Sequence, residues 1–314
     1  MTNRIQRFIA FLLVLCIPIF AIAGCTNNDV ANAANQVTTN ANGAYSIDTK
    51  TTTPEGKLDV YMLDIGQGDA ILLKVGDEYS MIDTGDIEHR ENIVAQLKTM
   101  GVTKLKNIII THPHADHMGG FYAIAKAMPI EHVYDDGIAV DNNMYKTYEK
   151  WIEKNKIQRT TLRSGDVVDF GHGAVFVVYA PWVEPLTDKK GETDLNNNSI
   201  VGKLIFGKFS MLFTGDAEWQ EEKKLIKEQN SRLFARILKV GHHGSRTSSS
   251  EDFLKSIKPE SALISNGMYN KYGHPHDVTL RRLQENNIAI YRTDTMGRIH
   301  ISTDGNKWQI TTER

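Results

Sequence analysis

Four potential metal ligands, His112, His114, Asp116 and His117, fall within six residues in the pattern His-x-His-x-Asp-His. Imidazoles and a carboxylate with no cysteine favour zinc, manganese or iron over a thiolate-held structural zinc. His112 and His114 are two apart and can point the same way from an extended segment. Asp116 and His117 are adjacent and cannot share that direction. Two pairs aimed differently predict two divalent ions side by side, Zn2+ or Mn2+. They also predict hydrolysis, because such ions acidify a water and neutralise charge on a reacting oxygen. Gly119 and Gly120 follow, and let the backbone pass close to a crowded centre.

Three later stretches carry chemistry of the same kind. Phe213-Thr214-Gly215-Asp216-Ala217 puts a carboxylate at the end of a buried run, which is costly unless it is paired or binds a cation. Its alternative use is as the N-cap of a helix over 218–228. Gly241-His242-His243-Gly244-Ser245 sets two histidines between glycines, where either could bind metal or give a proton to a leaving oxygen. The hydroxyls and amides from Ser245 onward suit a phosphate. Tyr272-Gly273-His274-Pro275-His276 offers two more imidazoles before a helix over 277–286. His89, His132, His172 and His300 stand outside any such pattern and read as structural or surface residues.

The elements that must position these groups are legible from periodicity. Apolar runs predict strands over 58–64, 70–75 and 79–83, joined by short glycine-containing links that make them antiparallel neighbours. Ile93, Val94, Leu97 and Met100 make a helical stripe over 88–100, stopped by Gly101. The run Asn107-Ile108-Ile109-Ile110 is a buried strand leading into the histidine cluster, and a helix over 119–127 follows it. The cluster therefore sits where a strand ends and a helix begins. A further helix is expected over 142–156, and strands over 173–180, 200–206, 208–213 and 236–240.

These motifs, with Val60-Tyr61-Met62-Leu63-Asp64-Ile65-Gly66-Gln67-Gly68-Asp69-Ala70 and Met81-Ile82-Asp83-Thr84-Gly85, resemble the metallo-β-lactamase superfamily. The likeness is to the branch of competence (ComEC-like) C-terminal domains and their free-standing relatives, and it runs from about Leu58 to the C-terminus. It implies an α/β fold, a four-layer αβ/βα sandwich whose two sheets come from chain halves divided near Phe170. By resemblance Asp216 bridges the two ions and Asp83 orients a ligating histidine, as such histidines commonly require. Relatives favour His243 near the metals and His242 as its orienting or proton-donating neighbour. His274 takes the place of the final metal-binding histidine, with His276 as runner-up. Asp116, Asp216, His242 and His243 are thus the expected catalytic residues. His112, His114, Asp116, His117, Asp216 and His274 are the expected metal ligands. A further histidine usual in the superfamily is missing, and the Leu195-Asn196-Asn197-Asn198-Ser199-Ile200 segment stands there. The Asn198 amide oxygen is the expected substitute. The missing histidine argues against β-lactamase and glyoxalase chemistry.

Composition places the domain. Residues 1–24 have a positive start (Arg4, Arg7) and an apolar run ending Ile22-Ala23-Gly24-Cys25, the form of a secretory signal. The end of that run resembles a bacterial lipobox, which implies cleavage before Cys25 and a lipid on its sulfur. Cys16 and Cys25 are the only cysteines, so the mature monomer has no disulfide. Residues 25–57 are rich in Asn, Thr and Ala and are expected to be a disordered tether, about 30 Å long root-mean-square. Residues 58–314 are expected to be the hydrolase domain. The net charge is −2, and −4 once Arg4 and Arg7 are lost. That excludes a protein that coats nucleic acid but tolerates a nuclease acting briefly on a delivered strand.

The function expected is an extracytoplasmic, membrane-tethered phosphodiesterase acting on single-stranded DNA at uptake. A phosphocholine or teichoic-acid phosphoesterase of the cell envelope is the alternative, with Trp151, Trp182 and Trp219 as material for a choline cage. An inactive binding lipoprotein is the reading from another class. The sequence names no protein partner.

Overall fold

The computed structural model describes residues 54–314 and two short strands before them, β1 (Val37–Thr39) and β2 (Tyr45–Ile47). These two pair antiparallel and join neither large sheet. The expected signal segment, Cys25 and most of the expected tether lie outside the described residues. No helix among the described residues is long and apolar enough to cross a membrane.

Strands β3 (Leu58–Met62), β4 (Ala70–Val75) and β5 (Glu78–Thr84) form an antiparallel meander, as their short links require. Strands β6 (Leu105–Ile109), β7 (Ile130–Asp135) and β8 (Gln158–Thr161) extend it in parallel. The second sheet begins with β9 (Val167–Gly171), β10 (Ala174–Ala180), β11 (Val201–Phe206) and β12 (Phe209–Phe213), all antiparallel. It continues in parallel through β13 (Ile237–Lys239), β14 (Ser261–Ile264) and β15 (Ala289–Arg292). The chain then returns: β16 (Ile299–Thr303) pairs with β3, and β17 (Trp308–Thr312) makes the outer edge. The division near Phe170 thus fails at the C-terminus, whose hairpin belongs to the first sheet. Ile299 and Ile301, buried on alternate positions of β16, join the core of Val60 and Met62 on β3.

Three apolar clusters separate four layers. Alternation with period two drives this, because one face of each strand turns to the partner sheet and the other to helices. On β4, Ile71, Leu73 and Val75 enter the core between the sheets, while Ala70 and Leu72 meet the helices outside. The outer helices of the first sheet are Arg90–Thr99, Phe121–Ala127 and Asn143–Asn155, burying Ile93, Leu97, Phe121 and Tyr148. Those of the second are Trp219–Gln229, Glu251–Ile257 and Asp277–Glu285, burying Leu225, Phe253 and Leu283. The sequence reading missed β7, β8, β9 and β14 to β17. Among these, β7 lacks a clean alternation and β8 is exposed along its whole length.

Helix Trp219–Gln229 carries one unusual group. Glu221 is fully buried, and neither carboxylate oxygen has a hydrogen-bond partner. Burial, with Asp194 and Glu222 nearby, pushes its carboxyl well above the ordinary value of 4.5. The folded state therefore holds a proton that the unfolded chain releases once pH passes 4.5. Stability from this group is full below that pH and declines as pH rises towards the folded value. Glu221→Gln is expected to raise the melting temperature at pH 8 and leave it nearly unchanged at pH 4.5. Equal shifts at both pH values would show that ionisation is not the cause.

Candidate metal centre

The cluster forms at the carboxyl ends of adjacent strands, where open α/β sheets place their ligands. Strand β5 carries Asp83 next to its last residue, β6 leads into His112, β12 into Asp216, and β13 into His242 and His243. Asp116 and His117 stand on a separate helical turn, Ala115–Met118, rather than in a loop. That turn lies so close to β5 that a Cβ on Gly120 would meet the Thr84 carbonyl oxygen at 2.0 Å. Asp83, His242 and His243 all adopt positive φ, at 59°, 45° and 52°. Such backbone strain in non-glycine residues collects at functional sites.

Two groups of donor atoms share Asp216. Asp116, His117, Asp216 and His243 form one, and His112, His114 and Asp216 the other, with all atoms of each group within 4.8 Å of one another. In the first, His117 Nε2 lies 3.2 Å from Asp216 Oδ1, and His243 Nε2 lies 3.3 Å from Asp116 Oδ2 and 3.6 Å from Asp216 Oδ1. In the second, His112 Nε2 is 2.9 Å from His114 Nδ1 and 3.8 Å from Asp216 Oδ2.

Hydrogen bonds behind the rings choose the tautomers. His117 Nδ1 donates to Asp83 Oδ2 at 2.8 Å, and His243 Nδ1 donates to the Ser265 carbonyl at 2.9 Å. Both Nε2 atoms are thereby free to face the cluster. Asp83 is itself fixed by Thr111, whose amide and hydroxyl donate to it at 2.7 and 2.8 Å. The Nε2 atoms of His117 and His243 and Oδ1 of Asp216 are buried without hydrogen-bond partners. Buried polar atoms left unpaired are costly. Three that converge fit a cation between them, so the residues present suit a divalent metal.

Protonation follows the same geometry. Burial opposes charge on His117 and His243, but the carboxylates outweigh it. Asp216 and Asp83 raise His117 well above the usual imidazole value, and Asp216 and Asp116 raise His243. Burial holds His112 well below it. The carboxylates thus favour protons on His117 and His243 in the metal-free site, which an ion must displace. Metal binding is expected to release protons and to weaken as pH falls. Titration calorimetry in buffers of different ionisation enthalpy reads this directly, and a binding enthalpy independent of buffer would refute it.

His274, expected as a ligand, lies outside both donor groups, while His243, expected near the metals, belongs to the first. Strand β13 lies beside β12, so its end delivers His243 next to Asp216, whereas His274 follows β14, one strand farther away. His274 lines the cavity, with its ring centroid 6.3 Å from that of His243. Burial lowers its pKa to about 4. Asn198 is turned away: its Oδ1 accepts from the Leu186 amide at 2.8 Å, and its Nδ2 donates to the Leu186 and Asp194 carbonyls. His276 Nδ1 accepts from the Arg246 amide at 3.1 Å, and the residue lies outside both donor groups. Ser245 is buried in the turn, its hydroxyl sharing a hydrogen bond with Thr247.

His242 has a partner that the sequence reading did not assign. Its Nδ1 donates to Glu218 Oε1 at 2.9 Å, and Thr247 donates to the same oxygen at 2.7 Å. Burial opposes charge on Glu218, but the hydrogen bonds from His242 and Thr247 win and hold it below the usual carboxylate range. Nε2 of His242 lies 3.7 Å from Asp216 Oδ2. Asp69 was also missed. It pairs with buried Lys239 and sits 3.5 Å from His243 Nδ1. A lysine inside the apolar run Ile237-Leu238-Lys239-Val240 demands an acid, and that was the available signal. Ser199 was the third: its hydroxyl accepts from the Asp216 amide at 3.0 Å and faces His112.

The cluster opens into a cavity of about 350 Å³ whose wall includes Gln67, His114, Asp116, His242, Tyr272 and His274. A larger cavity of about 450 Å³, by Ile87, Phe121 and Tyr122, contains no group of metal donors. Trp151, Trp182 and Trp219 line neither. They pack separately against Tyr122, Lys224 and Arg282, so no tryptophan cage forms.

The sequence profile of the metallo-beta-lactamase superfamily matches residues 63–267. Competence protein ComA of Neisseria gonorrhoeae is 29% identical over 245 residues, covering 78% of this chain and 32% of the relative. ComE operon protein 3 of Bacillus subtilis is 30% identical over 264 residues, covering 78% and 33%. The chain spans about a third of the length of these relatives. Among solved structures, the metallo-beta-lactamase fold protein YhfI of Bacillus subtilis superposes with a TM-score of 0.53 at 11% identity, over 79% of this chain and 100% of that one.

Proposed function

Because this chain belongs to the metallo-β-lactamase superfamily, we propose that its hydrolase site is a two-ion phosphodiesterase acting on single-stranded DNA. The observation that carries this reading is the pair of donor groups sharing Asp216. His112, His114 and Asp216 would hold one ion, and Asp116, His117, His243 and Asp216 the other. Bound divalent ions supply Lewis acidity towards phosphoryl oxygens and a water acidic enough to attack at neutral pH. Asp116, about a quarter exposed to the cavity, would help hold its ion and orient the attacking water. Asp83 and Ser265 keep the two inner imidazoles turned so that Nε2 faces the reacting atoms. His242, steadied by Glu218, protonates the leaving oxygen.

The kinship with competence proteins supports DNA as the substrate class. The mature chain would be held outside the cytoplasm by a lipid on Cys25, with the hydrolase domain at 58–314. A choline ester of the cell envelope gains nothing from the separated tryptophans. An inactive binding protein would have no use for so complete a donor set. The test is cleavage of end-labelled single-stranded DNA by the purified protein with manganese or zinc, with Asp116→Ala as control. Metal-dependent cleavage lost in that variant is expected. Metal-loaded protein that leaves DNA intact would defeat the DNA reading and favour phosphocholine or teichoic-acid substrates.

A further inference from the structure

The cavity wall at Tyr272 belongs to a loop with exposed apolar side chains. Met268, Tyr269 and Tyr272 are 58%, 97% and 50% exposed within five residues of chain. Exposed apolar groups are ordinary when scattered, but a cluster at the mouth of a site asks for an occupant. The loop that carries them is braced. Asn270 Nδ2 donates to the carbonyls of Gly267 at 2.9 Å and His274 at 2.6 Å. Its Oδ1 accepts from the amides of Tyr272 at 3.2 Å and His274 at 3.0 Å. Tyr269 adopts a φ of 54° and its side chain is almost fully exposed. Tyr272 lines the cavity and stacks on His274, centroids 5.6 Å apart and planes 23° apart. The His274 ring stands edge-on to His242 at 5.4 Å. Aromatic rings therefore run without a break from the proton-donating side of the site to the surface.

We infer that the loop 267–273 is a nucleobase-stacking platform, on which Tyr272 and Tyr269 hold the bases that flank the phosphodiester being cleaved. This rests on the phosphodiesterase reading and adds how the strand is held. Aromatic faces bind bases of any sequence, and cations track the phosphates between them. Lys271 Nζ lies 5.0 Å from the Tyr272 ring, and the positive charge of Arg246 acts on His276, whose ring abuts His274 at 4.9 Å. These charges attract a polyanion and repel a choline-type cation. They also supply locally what the net charge of −2 withholds from the chain as a whole.

Binding and cleavage separate the two ideas. Fluorescence anisotropy of the full chain, in an Asp116→Ala background that prevents cleavage, compares a labelled oligothymidylate with an abasic strand of equal length and charge. The base-bearing strand is expected to bind about tenfold more tightly. Tyr272→Ala and Tyr269→Ala together should erase that difference, while Tyr272→Trp should keep it. Equal affinity for the two strands overturns the inference. So does an equal loss for both in the variants, which would mean a merely structural loop. Loss of binding to anionic vesicles, with the base preference intact, would reassign the loop to a membrane surface. Cleavage of both strands at equal rates by the protein with Asp116 intact leaves the phosphodiesterase standing without the platform. Base-dependent binding without any cleavage leaves the platform standing without the phosphodiesterase.

Discussion

Asp216→Asn is expected to lower kcat/KM on a phosphodiester by about a thousandfold or more and to reduce bound metal. The side chain keeps its shape and loses its charge. Asp216 alone belongs to both donor groups through its two oxygens, so a single substitution weakens both at once. Several kcal/mol of charge stabilisation at a metal site corresponds to such a factor. Asp83→Asn supplies the comparison. Its carboxylate touches no substrate and acts through His117 Nδ1 and Thr111. Loss of a group behind a ligand typically costs about 10–100-fold in metal affinity or activity. The order of the two effects is the test, with metal content measured beside kinetics and circular dichroism confirming the fold. If Asp216→Asn keeps its metal and most of its activity, the shared-carboxylate reading is wrong.

His242→Ala should cost about 10²–10⁴-fold on DNA, the usual range for a lost general acid. It should cost far less on a nitrophenyl phosphodiester. A nitrophenolate leaves as a stable anion and needs no proton, whereas a sugar alkoxide does. This contrast sets His242 apart from His243, which faces the buried donor group and should impair both substrates alike. Glu218→Gln tests the partnership behind His242. The Glu218 carboxylate is held below its usual range, so it stays anionic at neutral pH and keeps accepting from His242 Nδ1. Without that anion the ring is oriented less firmly, and kcat on DNA should fall while the nitrophenyl phosphodiester is largely spared. Equal losses on both substrates would reduce Glu218 to a structural cap for Thr247 and its neighbours.

Much of this was legible in the chain. His112, His114, Asp116 and His117 are spaced closely enough that local geometry alone aims them in two directions, and Asp216 closes an apolar strand where a carboxylate needs a partner. The first meander was legible for the same reason, since period-two runs and short glycine links are local properties, whereas the two-sheet sandwich was an expectation from the family resemblance. Three things were not. The choice of His243 over His274 depends on strand β13 pairing beside β12, and strand order is a fact of tertiary structure. The Asn198 amide could have pointed at the metals or away, and the loop at Leu186 and Asp194 claimed its hydrogen bonds. The Glu218–His242 and Asp69–Lys239 pairs join residues 24 and 170 positions apart. The composition of a strand can announce that a buried lysine needs an acid. Only the folded chain, by bringing two distant strand ends within a hydrogen bond of each other, decides which acid it is.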